Sequence, residues 1–191
     1  MNTAVIIISK ILEVTHWVGC AFMIALTFVF ASGNTSFAHF LSDVTESSSD
    51  VELYGYSLST VNGGAIPTGA LVLFFITGIF VMAIMAMVFR YIYLIFKTAE
   101  GKTKFSEGAT PFQQPIVNMT RKVGIFCIAV PVIEFITLII TQIMIVTGGG
   151  AYETLETNVQ FGMVLFGLVI LCLSRFFAYG LELQRDTEGL V

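Results

Sequence analysis

Charge is scarce in this sequence: Asp, Glu, Lys and Arg make up 12% of its 191 residues, against roughly 25% in soluble domains. Water is therefore not the main solvent of the chain. Cysteine is scarce as well, with 3 in all. Cys20, Cys127 and Cys172 stand one to an apolar run without a Cys-x-x-Cys pair, which excludes a disulfide framework and a cysteine-based zinc site and leaves them as packing residues. The 2 histidines are His16 and His39. Because His39 lies in a loop, one chain cannot offer a haem a pair of histidines from within its apolar runs. Lys and Arg are missing altogether from Ser32 to Pro67 and from Gly148 to Thr157. The formal net charge of -4 comes mainly from the acidic residues of those stretches, so nothing favours a nucleic-acid partner.

Catalytic signatures are missing too. No nucleophile stands with a base, no metal motif is present and no carboxylates pair at neighbouring positions, so an intramembrane enzyme is the least favoured class. Gly101-Lys102-Thr103 matches the end of a phosphate-cradling loop, but the first glycine of that motif would have to replace Phe96. Glu13, His16 and Cys20 have the helical spacing of metal ligands. A lone helix offering three ligands among apolar neighbours reads more simply as coincidence.

What the chain does have is long apolar runs. A hydrocarbon core of about 30 Å takes roughly 20 apolar residues as a helix. Four segments qualify, at 10–31, 68–96, 121–147 and 158–180. They are continuously apolar rather than alternating, which fits helices and not barrel strands. The expected fold is all-α, a four-transmembrane-helix bundle forming a single membrane domain over 1–191. The first run is too long for the apolar part of a signal peptide and reads as a retained span.

The basic residues predict orientation. Lys97, Lys102, Lys104, Arg121 and Lys122 fall between the second and third runs, and Lys10 and Arg185 lie near the termini. By the positive-inside rule both termini and the 97–120 loop are cytoplasmic, while the larger 32–67 loop is extracytoplasmic. The basic loop is expected to sit against an anionic inner leaflet. Gly101, Gly108, Pro111 and Pro115 make it a turn that leads into a helix. In the 32–67 loop, Ser36 to Asp50 is rich in Ser and acidic residues. Val51 to Pro67 alternates β-formers, with two Tyr and an Asn-Gly-Gly turn signal, and predicts a short hairpin or cap, of which a ligand lid is the functional version. Asn34-Thr35-Ser36 matches a glycosylation acceptor that matters only in a eukaryotic secretory setting.

Gly101 with Phe105, the Pro111-Phe112 pair, Arg121, Gly124, Phe176-Phe177, Gly180-Leu181-Glu182-Leu183 and the terminal Glu188-Gly189-Leu190-Val191 form a pattern spread over much of the chain. It resembles a bacterial domain-of-unknown-function family of small four-span membrane proteins, often encoded beside short helix-turn-helix regulators. The resemblance implies the four-span fold and a bacterial inner membrane. It implies no activity, cofactor or site residues.

Ionisable residues within spans are costly and call for a partner or a function. Glu13 and His16 are one turn apart on one helix face, at the same expected depth as Arg175, with Arg90 nearby. The structural reading pairs Glu13 with Arg175 or Arg90, and the functional alternative is a proton or ion relay. Glu134 comes about twelve residues after Lys122, hence roughly 18 Å deep at 1.5 Å per residue. Thr137 and Thr141 continue its polar stripe and Gln142 lies close, so this face is expected inside the bundle. Pro131 would free a backbone carbonyl and kink the helix. Glu134 is either hydrogen-bonded structurally or a substrate or proton site. Gly19, Gly78, Ala83, Gly162 and Gly167 allow close helix packing, while Met82, Met85 and Met87 read as ordinary packing or lipid-facing residues. The leading expectation is a non-catalytic accessory or regulatory membrane component. It would work without a cofactor in the lipid bilayer, alone, as a homo-oligomer or with a membrane protein partner. The alternative is a small carrier or ligand-binding protein using Glu134.

Overall fold

A backbone in hydrocarbon must satisfy its polar groups internally, and a run of apolar residues does so as a helix. The computed structural model, which describes residues 2–32, 50–60, 66–106, 112–148, 155–159 and 162–188, contains four such helices. They are α1 (Asn2–Ala31), α2 (Thr68–Ala99), α3 (Gln114–Gly148) and α4 (Gly162–Glu188). With 27 to 35 residues each, they run about 40 to 52 Å at 1.5 Å per residue. All four are long and apolar enough to cross a membrane. His39, the Asn34-Thr35-Ser36 acceptor, most of the Ser-rich stretch, the Asn-Gly-Gly signal and Pro111 lie outside the described residues.

Many large apolar side chains face outward while several polar ones are buried. Ile11, Val18, Phe22 and Phe28 on α1, Ile139 and Val146 on α3, and Leu165, Val169 and Phe176 on α4 are exposed, whereas Thr77, Glu134, Thr137, Thr141 and Ser174 are buried. Apolar faces of this extent need a hydrocarbon solvent, and the chain is a multi-pass membrane protein.

The helices outrun the apolar segments at several ends. The turn after α2 is a Schellman motif: the Gly101 N–H donates to the Thr98 carbonyl at 3.0 Å and the Lys102 N–H to the Lys97 carbonyl at 3.1 Å. Gly101 has φ 75°, which an L side chain would strain. α3 begins at Gln114 rather than Arg121, with Pro115 in its first turn, where the missing N–H costs nothing. The Gln113 carbonyl accepts from Ile116 and Val117. α4 begins at Gly162 rather than Asn158, because the residues before it form a strand.

That strand belongs to an element the all-α expectation did not include. β1 (Asp50–Leu53), β2 (Tyr56–Thr60) and β3 (Leu155–Val159) form an antiparallel sheet in the order β1-β2-β3. The predicted hairpin is present. Its turn falls at Tyr54-Gly55, with Leu53 paired to Tyr56, and β3 adds to its free edge with Leu58 opposite Thr157.

The chain forms two compact units. One comprises Met1–Trp17, Ile84–Ala129 and Met163–Val191, and the other Val18–Ala83 and Val130–Gly162. In the first, α3 and α4 approach at paired glycines: a methyl on Gly124 would meet the Gly167 carbonyl oxygen at 3.0 Å, and one on Gly167 would meet that of Gly124 at 2.9 Å. Val88, Val123 and Cys127 pack beside this contact with Tyr91, Phe126 and Ile170 around them. Phe112 lies over Gly180, where a methyl would come within 2.6 Å of its ring, and edge-on to Phe177.

In the second unit the hairpin itself enters the core. Tyr56 and Leu58 are buried with Leu26, Phe30, Ala70, Phe74 and Phe75, and Leu53 reaches Gly78, where a methyl would lie 3.1 Å from its Cδ2. Gly78 is ten residues into α2, about 15 Å along the helix. The hairpin turn is therefore set deep beside the helices, where non-helical backbone is tolerated only if protein or a water-lined cavity satisfies it.

Candidate functional site

The polar stripe expected on α3 is buried as a unit, with Glu134 1%, Thr137 4% and Thr141 1% exposed. Its partners come from α2 and the hairpin. Thr141 Oγ1 donates to the Thr137 carbonyl at 3.0 Å. Its single proton being spent there, Tyr56 O–H is the donor across the 3.1 Å separation from Thr141 Oγ1. The Tyr56 ring stacks on Phe74. Thr77 and Thr137 hydroxyl oxygens lie 2.7 Å apart, each also within reach of a carbonyl in its own helix, Leu73 at 3.0 Å and Ile133 at 3.1 Å. Two protons serve three contacts, so one hydroxyl turns from its helix to its neighbour.

At the lower end of the stripe the Gly55 N–H donates to the Glu134 carboxyl. The same N–H reaches back to the Leu53 carbonyl at 2.8 Å, and Tyr54 between them has φ 59°. This is a tight γ-turn with a bulky residue in the left-handed region, a conformation that costs free energy. The turn presents a backbone donor to the carboxyl in return. Glu134 Oε1 has no partner among the described residues. A half-satisfied buried carboxyl is an expensive group, and it marks Glu134 as the chemically most distinctive side chain of the layer. Gln142 is exposed. Burial pushes the Tyr56 phenol above its ordinary value, opposed by the Thr141 hydrogen bond, and Tyr54 shifts the same way.

The Glu13 and His16 region lies in the other unit and is differently built from the expectation. Glu13 is 5% exposed but pairs with Lys10 at 2.9 Å, one turn away on the same helix. It does not pair with Arg175 or Arg90, both of which are exposed. Long basic side chains near helix ends can extend to the interface, and no buried partner is then required. His16 Nδ1 lies 2.7 Å from the Leu12 carbonyl and its ring tilts against Phe89 at 4.9 Å. Cys20 donates weakly to the Ile79 carbonyl at 3.7 Å.

Of the six candidate residues, Glu134, Thr137 and Thr141 are brought together, while Glu13, His16 and Arg175 take no part in that layer. Gly55, Tyr56 and Thr77 belong to it and were not expected. Tyr56 sat within a predicted hairpin, but a backbone N–H such as that of Gly55 has no signature in sequence. In comparisons with known proteins, no family model, curated protein or solved structure matches the chain.

Proposed function

We propose that the protein is a non-catalytic component of a bacterial inner membrane, an accessory or regulatory subunit that acts by associating with a membrane partner or a second copy of itself. The one-sided distribution of Lys and Arg supports cytoplasmic termini and an extracytoplasmic position for the 32–67 loop with its hairpin. The resemblance to the four-span family supports the bacterial setting. One observation carries the reading: the chain's own hairpin occupies the polar layer in which a carrier would hold its ligand. Gly55 N–H faces Glu134, and Tyr56 caps Thr141. With the layer filled by the chain's own hairpin, the surfaces left for association are the apolar faces of α1 and α4, the two less buried helices.

The second reading is a small carrier or ligand-binding protein that uses Glu134, favoured by the oxygen that has no partner among the described residues. A mild-detergent pull-down of tagged protein from its native membrane, followed by mass spectrometry with a Glu134→Gln control, separates the two. A stoichiometric partner retained by both forms supports the accessory role. Protein recovered alone, with proton or small-molecule uptake that disappears in the Gln form, puts the carrier first.

A further inference from the structure

Lys10 on α1 and Lys97 on α2 meet at one tyrosine. Lys97 Nζ donates to the Tyr93 hydroxyl at 2.9 Å and lies 5.3 Å from the ring centre, while Lys10 Nζ lies 5.4 Å from the same centre. The 2.9 Å contact puts the Lys97 ammonium at the hydroxyl edge of the ring rather than over its face. All three residues belong to one compact unit. Lys10 shares its charge with Glu13. Among the described residues no carboxylate pairs with Lys97. The cluster therefore keeps one uncompensated positive charge.

The donor inventory points to the ligand. A lysine ammonium has three N–H donors and a phenol one O–H. Lys97 uses one on Tyr93, and Lys10 one on Glu13. The Tyr93 oxygen accepts from Lys97, so its own proton remains to be donated. Two ammonium groups and a phenol thus gather about one ring with unused donors and a net positive charge, which suits a phosphate. The surroundings decide which phosphate. Lys10 has a side chain 52% exposed, and Ile7, Ile11 and Val14 around it on α1 are exposed apolar residues. A soluble anion has no use for that apolar strip, whereas acyl chains lie along it.

We propose that Lys10, Tyr93 and Lys97 form a binding site for the phosphate of an anionic phospholipid whose acyl chains run along α1. Charge pairing at such a site is expected to favour an anionic over a zwitterionic headgroup by about fivefold per uncompensated lysine.

Native mass spectrometry of the full-length protein released from mild detergent tests this, with dioleoyl phosphatidylglycerol, dioleoyl phosphatidylcholine and inorganic phosphate as separate probes. The expected result is about fivefold preference for phosphatidylglycerol over phosphatidylcholine, lost in Lys97→Gln and reduced in Tyr93→Phe. It should persist in Lys102→Gln, because the Lys102 ammonium is paired with Glu100 at 2.7 Å. Equal retention of the two lipids overturns the proposal. So does an equal loss in Lys102→Gln, which would mean a diffuse field, or displacement of phosphatidylglycerol by millimolar inorganic phosphate, which would mean a site for free anions.

Discussion

Tyr56 joins the hairpin to α3 through a single hydrogen bond and a stacked ring, and substitution separates the two. Tyr56→Phe keeps the ring on Phe74 but removes the donor to Thr141. Thr141 still donates to the Thr137 carbonyl, so no buried proton is orphaned and the loss should be about 1 kcal/mol, read as a lower midpoint in thermal unfolding in detergent. The phenol also has a pH signature. Because burial raises its folded value above the unfolded 10.0, its stabilisation is fully present below about pH 10 and lost as pH rises through the folded value. Protease protection of the hairpin should fall as pH rises through that value, with a smaller alkaline fall in Tyr56→Phe. An alkaline fall of equal size in both forms would contradict the assignment. Gly167 gives a second residue-scale expectation. A methyl there meets Ile128 Cγ1 at 2.6 Å and the Gly124 carbonyl oxygen at 2.9 Å, so Gly167→Ala should destabilise by about 1–3 kcal/mol through overpacking. Gly162, with open space around it, should tolerate the same change.

At the scale of elements, the hairpin turn carries a cost that the carboxyl beneath it helps to offset. Tyr54 has φ 59°, a region glycine enters freely. Tyr54→Gly should therefore leave the turn intact and recover up to about 1 kcal/mol of backbone strain. Glu134→Leu should loosen it, by leaving the Gly55 N–H only the Leu53 carbonyl of its own turn. Limited proteolysis of the 50–60 segment distinguishes these outcomes. The sequence made the hairpin legible through alternating β-formers. Its turn falls at Tyr54-Gly55, where Tyr56 and Leu58 face the core and Leu53 reaches Gly78. β3 was unreadable for another reason: a five-residue strand is recruited by a neighbour's free edge, a tertiary event with almost no local signal. The four helices were legible because a bilayer imposes length and composition together, and their ends were less so because helices continue past the hydrocarbon. In the candidate site, the shared face of Glu134, Thr137 and Thr141 followed from helical spacing alone. The partner of Glu13 did not, since helical spacing alone does not choose between Lys10 one turn away and the cross-helix arginines.

For the whole molecule, sidedness and the seat of the hairpin decide how the chain works. The proposed topology predicts that, in a background without Cys20, Cys127 and Cys172, a membrane-impermeant maleimide labels Asn158→Cys on intact cells and Lys102→Cys only after lysis. Both positions are exposed. The reverse pattern would invert the protein. The hairpin sits among the helices at the level of the polar layer, with Tyr56 on Thr141 and Leu53 at Gly78. Leu53 Cδ2 would lie 3.1 Å from a methyl on Gly78, so the most direct measurement is crosslinking of Leu53→Cys to Gly78→Cys by a short bifunctional thiol reagent in native membranes, read by mass spectrometry of the linked peptides. A seated hairpin predicts rapid crosslinking within one chain, slowed when Glu134→Leu is added. No crosslink in the double-cysteine protein, with both thiols labelled freely from water, would contradict it.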